Sequence, residues 1–157
     1  MRARYHFTLP FDVRDYECDL QGIVNNAVYQ QYLEHARHRF LQTSGVSFAE
    51  LTQQGINLVV VRAELDYKHS LRSGDTFTIG VRLERLSPVR FAFLQDLYLT
   101  TGGQELLSLT AKVVCAAMNR AGKPIMPTVL EPLLARLGNA SNVFPARAPG
   151  HKLQDAA

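Results

Sequence analysis

At 157 residues, 46% of them hydrophobic, the chain is long enough for one domain with its own core and too short for two ordinary ones. No apolar run reaches bilayer-spanning length, and the stretch MRARYHFTLPF lacks the apolar segment and cleavage site of a secretory signal, so a cytoplasmic protein without a membrane partner is expected. The 17 Lys and Arg exceed the 14 Asp and Glu by a net +3 but are scattered, which argues against a nucleic-acid partner and suits a few cations at the rim of a small-molecule pocket.

Tyr5, Phe7, Leu9, Phe11 and Val13 alternate with Arg4, His6, Thr8, Asp12 and Arg14, the period of a strand with one buried face. Pro10 has no amide hydrogen, which predicts an edge position or a bend. The loop from Asp15 to Val24 contains Gly22, free to adopt backbone angles closed to side chains. Asn25 or Asn26 then caps a helix predicted to reach about Thr43, with Gly45 ending it. Its apolar stripe is Tyr29, Tyr32, Leu33, Ala36 and Phe40, with Gln31, His35 and His38 outward. Glu34, with Arg37 and His38 three and four residues on, reads as part of a solvated helix pair. Ser47-Phe48-Ala49-Glu50 has the form of a capping box and opens a short helix that stops at Gly55.

From there the period becomes two. Val59, Val61, Ala63, Leu65 and Tyr67 share one face of a strand, and Ser73-Gly74-Asp75 is a turn. Phe77, Ile79, Val81 and Leu83 mark the next strand, closed by Ser87-Pro88. Arg90 to Thr100 and Glu105 to Met118 are apolar on both faces, as central or interface strands are, and a tight turn at Thr101-Gly102-Gly103 joins them. Thr128 to Leu137 reads as a short amphipathic helix. The pattern of strand, long helix, short helix and four antiparallel strands is α+β, one curved sheet with room to enclose a single helix. Residues 1–138 form that domain, and 139–157, without periodicity, are expected to be a poorly ordered tail.

Two motifs carry a family resemblance. Asp19-Leu20-Gln21-Gly22-Ile23-Val24-Asn25-Asn26-Ala27-Val28-Tyr29, followed by Tyr32-Leu33-Glu34 and Ala36-Arg37, resembles the signature of hotdog-fold acyl thioesterases of the 4-hydroxybenzoyl-CoA thioesterase type. Asp66-Tyr67-Lys68 with Leu71-Arg72-Ser73-Gly74-Asp75 is similar to the second hallmark of that family. The VNN-x-x-Y form also resembles the plant acyl-ACP thioesterases, although those carry Asn and His where this chain has Gln21 and Ile23, and bacterial branches often place His or an aromatic at Asn26. The resemblance implies a hotdog fold, hydrolysis of acyl-CoA or acyl-ACP, and a homodimer or a tetramer of paired dimers with active sites between protomers. No cofactor and no metal are expected.

The resemblance also implies roles. Asp19 falls on the family's catalytic carboxylate, acting as nucleophile or general base, and the amide of Asn26 falls where the oxyanion is bound. Asn25 and Glu34 are supporting candidates, and Gly22 and Tyr29 are placed against substrate. Arg85, Arg90 and Lys123, at strand ends and turns, are candidates for the phosphates of CoA. From spacing alone, Asp19 reads more simply as a loop charge or cap, Asn25 and Asn26 as capping residues, and each cation as surface charge. Cys18 and Cys115 show no ligand spacing, Cys18 lacks a nearby base, and His35 and His38 lack a further metal ligand. Two other activities remain open: a hotdog dehydratase, disfavoured because no His lies between Arg14 and Gln31, and a non-catalytic acyl-thioester binding protein.

Overall fold

The computed structural model describes residues 5–137. The segment 139–157, expected to be poorly ordered, lies outside the described residues. The chain forms β1 (Phe7–Asp12), a single 3-10 turn (Asp15–Glu17), α1 (Asn26–Thr43), α2 (Phe48–Gln53), β2 (Asn57–Tyr67), β3 (Thr76–Arg85), β4 (Arg90–Thr101), β5 (Gln104–Met118), β6 (Pro124–Ile125) and α3 (Leu130–Leu137). The sheet order is β1-β3-β4-β5-β2, with β6 paired to the end of β5. Every strand pair is antiparallel. This is the α+β hotdog architecture, a sheet laid along one long helix.

Local chemistry explains the elements. Asn25 caps α1, its side-chain oxygen accepting from the Ala27 amide at 2.9 Å. Ser47 caps α2 in the same way through the Glu50 amide, as the capping-box pattern predicts. The β4–β5 hairpin closes on Gly102 and Gly103, whose φ angles of 56° and 75° suit the two-residue turn that continues a strand's right-handed twist. Pro10 sits in β1 at the sheet edge, where a missing donor costs no ladder bond.

The core lies between α1 and the sheet. Tyr29, Tyr32, Leu33, Ala36 and Phe40 are all buried, as the stripe predicts. Phe77 of β3 stacks on Phe11 at 5.0 Å between centroids and meets Tyr32 at 4.8 Å, so β1, β3 and α1 share one aromatic cluster.

Two expectations change. Arg37 is not on a solvated face: it is 9% exposed, donates to Gln95 Oε1 at 3.1 Å and lies 5.9 Å from the centre of the Phe93 ring. The stripe curves around α1 far enough to carry position 37 inward, and the guanidinium tolerates this because Gln95, itself fully buried, supplies an acceptor while its own amide donates to Leu33 O at 2.9 Å. Burial lowers the Arg37 pKa. Glu34 contacts His38 instead, at 3.7 Å. The second change concerns β2. Val60, Val61 and Tyr67 are 51%, 46% and 51% exposed, because β2 is an edge paired only to β5, with its register broken between Val60 and Arg62.

Replacing Gln95 with Leu keeps the volume but strands the buried Arg37. We expect a loss of about 3 kcal/mol in urea unfolding, against less than about 1 kcal/mol for a surface control such as Gln42→Leu.

Candidate active site

Three segments meet at the start of α1. The first is the loop after the 3-10 turn. Asp19 N donates to Ile23 O at 2.9 Å and Gly22 N to Asp19 O at 3.0 Å, a three-residue connection whose last member, Gly22, has φ 76°. Bridges from Cys18 to Val24 and from Ile23 to Arg72 fix the loop in place. Asp19 Oδ1 accepts from the Gln21 amide at 2.8 Å, so one carboxylate oxygen closes the turn and the other has no protein partner among the described residues.

The second segment is the first turn of α1. Of its amides, Ala27 N is bonded to Asn25 Oδ1 and Val28 N to Asn25 O at 2.9 Å, which leaves the Asn26 amide as the spare donor at the positive end of the helix dipole. The third is the β2–β3 connection. Leu71, fully buried, accepts from Val24 N at 2.9 Å and donates its amide to the Tyr29 hydroxyl at 3.1 Å. Tyr67 closes the corner: its ring lies edge-on to Tyr29 at 5.4 Å and its hydroxyl donates to Asn26 O at 3.1 Å.

These segments line an open cavity of about 340 Å³, formed by Asp19, Ile23 and Val24 of the loop, Asn26 and Tyr29 of α1, and Tyr67, Lys68, His69 and Ser70. Burial raises the Tyr29 pKa, so that hydroxyl stays neutral. The arrangement has the parts for acyl transfer to water: a carboxylate with a free oxygen, a spare helix-start amide and a solvent-open cleft that both line.

The structure gathers some of the predicted residues here and sends others elsewhere. Asp19, Asn26 and Tyr29 line the cavity. Gly22 forms the turn beside it, with the Arg72 guanidinium 3.9 Å from where a side chain would begin. The Asn25 side chain is committed to the cap. Glu34 lines a different cavity of about 320 Å³, with Arg37, His38, Phe91, Phe93 and Cys115, between α1, α2 and the start of β2. Burial pushes the Cys115 thiol up to about 11, so it is no nucleophile at neutral pH. Arg85 pairs with Glu131, and it lies with Arg90 and Lys123 at the other end of the sheet. Along β3 that end is roughly 30 Å from the Asp19 corner.

The sequence motifs include Lys68 but pass over His69 and Ser70. The signal available was their position between Tyr67 and Leu71 in the second motif. His69 also removes one argument: a histidine does line the Asp19 cavity, from a distant part of the chain.

The sequence profile of the thioesterase-like superfamily matches residues 13–137. A chloroplast acyl-acyl carrier protein thioesterase of Arabidopsis thaliana, ATL3, is 33% identical over 113 residues, 72% of this chain and 58% of that protein. The long-chain acyl-CoA thioesterase FadM of Escherichia coli is 33% identical over 103 residues, 66% of this chain and 77% of that protein. The crystal structure of a hypothetical protein from Aquifex aeolicus superposes with a TM-score of 0.72 at 28% identity, covering 83% of this chain and 98% of that one. The chain spans little more than half the length of the plant relatives it matches.

The two asparagines should separate in a stability measurement. Asn25→Ala removes the cap and should cost about 1 kcal/mol in denaturant unfolding, whereas Asn26→Ala, whose relevant group is its backbone amide, should stay within about 0.5 kcal/mol of the parent.

Proposed function

The chain belongs to the thioesterase-like superfamily, and from that premise we propose that it hydrolyses acyl thioesters of coenzyme A or of an acyl-carrier protein in the cavity shared by Asp19 and the start of α1. The observation that carries the reading is the pairing, on one cavity, of a carboxylate oxygen without a protein partner and a helix-start amide without one. A thioester carbonyl placed between them has its carbon toward Asp19 and its oxygen toward the Asn26 amide. Asp19 takes a proton from water as the water oxygen bonds to the carbonyl carbon, or attacks that carbon itself to form a mixed anhydride that water then opens. Negative charge gathering on the carbonyl oxygen is met by the amide and the helix dipole, which are fixed before reaction and need no reorganisation.

The site is completed by a second copy. β2 is eleven residues long and open at the sheet edge, with exposed Val60 and Val61, a surface that invites strand pairing. Two identical edges paired about a two-fold axis run antiparallel. The partner's copy of the β2 start then lies beside Tyr67 and the Asp19 cavity. Arg90 and Lys123 belong to the β2-start end of the sheet, since Arg90 pairs with Ala116 and Met118 with Asn57. Far from Asp19 within one protomer, they come near the Asp19 of the other, where cations suit the phosphates of the carrier. The mainly apolar cavity of about 320 Å³ at the β2 start is brought to the same place and suits an acyl chain.

Thiol release from aliphatic and aromatic acyl-CoA and acyl-carrier-protein substrates tests the chemistry. Asp19→Asn should lower kcat by about 10²- to 10⁴-fold; undiminished turnover removes Asp19 from the mechanism, and binding without cleavage by the parent protein makes it a binding protein. Sedimentation tests the assembly. Val60→Asp with Val61→Asp should give monomers with at least about tenfold lower kcat/KM, because like charges face each other across the axis.

A further inference from the structure

His69 reaches the Asp19 cavity from the β2–β3 connection, and we propose that its imidazole is the acid that protonates the departing thiolate. The inference rests on the hydrolytic reading above and adds the second half of the reaction. Breaking the carbon–sulfur bond leaves an electron pair on sulfur, and an alkyl thiolate is a poorer leaving group than a more acidic one. A proton delivered to sulfur as the bond breaks removes that cost.

The polar groups of the cavity narrow the choice of donor. Asp19, as a carboxylate, accepts only and is committed to the attacking water. The Tyr67 hydroxyl gives its hydrogen to Asn26 O, and the buried Tyr29 hydroxyl is held by the Leu71 amide with its pKa raised. The Ser70 hydroxyl is far too weak an acid to end as an anion. Lys68 and His69 remain. Of the two, imidazole is the side chain that most often serves as a positioned general acid.

The backbone supports the assignment. Lys68 N and His69 N both donate to Ser108 O, at 2.8 and 3.1 Å, so the segment is clamped to β5 as it leaves β2. The imidazole itself has no hydrogen-bond or ionic partner among the described residues. A fixed backbone carrying an uncommitted imidazole on the reaction cavity is what a proton donor needs.

The step balances. Water gives a proton to Asp19 and its oxygen to the carbonyl carbon. The oxyanion rests on the Asn26 amide and then re-forms the carbonyl as the carbon–sulfur pair moves to sulfur. Imidazolium nitrogen passes its proton to that sulfur, giving free acid and thiol. Asp19 returns its proton to the imidazole through solvent.

The test uses two acyl thioesters with the same acyl group, one of coenzyme A and one of an acidic aryl thiol that leaves unaided. His69→Gln should lower kcat/KM about 100-fold for the acyl-CoA and less than about threefold for the aryl ester. A purely structural role lowers both equally, and equal losses, or none, overturn the proposal. Lys68→Ala goes through the same comparison: if it is the variant that discriminates between leaving groups, the ammonium is the donor and His69 is not. If the parent protein cleaves neither ester, the hydrolytic reading fails and this proposal with it, an outcome distinct from those in which the parent cleaves both.

Discussion

The corner depends on one residue's backbone. Leu71 receives the Val24 amide on its carbonyl and lends its own amide to the Tyr29 hydroxyl. These two hydrogen bonds join the acidic loop, the first turns of α1 and the β2–β3 connection, three segments that no regular ladder holds together. Both lie where Leu71 is fully buried, so each group left unpaired would cost about 1–3 kcal/mol. A site whose working parts sit on loops gains its precision from such ties to the core. Here the tie reaches Asp19 through Val24 and Ile23, Asn26 through the helix, and His69 through the clamp on Ser108.

Around that corner the electrostatics are economical. The Asp19 carboxylate is exposed, and one of its oxygens already closes its own turn. The Asn26 amide, spare at the positive end of the helix dipole, is the fixed donor on the Asp19 cavity. The buried cation among the described residues, Arg37, is on the far half of α1 and is satisfied by Gln95, away from the Asp19 cavity. The open edge strand β2 ends at this corner, at Tyr67.

Much of this was legible in the residues. The 3.6-residue stripe from Tyr29 to Phe40, the Asn25 cap, the Gly102-Gly103 hairpin and the edge proline are local signals, each set by chemistry within a few residues, and the structure follows them. At Arg37 charge and position conflict: the helical angle carries residue 37 inward, and the acceptor that makes this tolerable, Gln95, is 58 residues away. The openness of β2 depends on sheet order, which alternation does not encode. Asp19 stood out only through family resemblance, since a lone acidic loop residue is most simply a turn former, and it is one here as well. His69 was invisible for a related reason, because its approach to Asp19 depends on how a distant connection folds back. Local pattern yields elements; the site arises from contacts between them.

The most direct test of the account is a crystal structure of the protein with a non-hydrolysable acyl-CoA analogue in which a ketone replaces the thioester. The account predicts the ketone oxygen within about 3 Å of the Asn26 amide, the distance of a charge-assisted hydrogen bond, with the Asp19 carboxylate over the carbonyl carbon. An ordered analogue whose ketone lies away from both, whether in the cavity beside Glu34 and Arg37 or on the β1 edge, would contradict it.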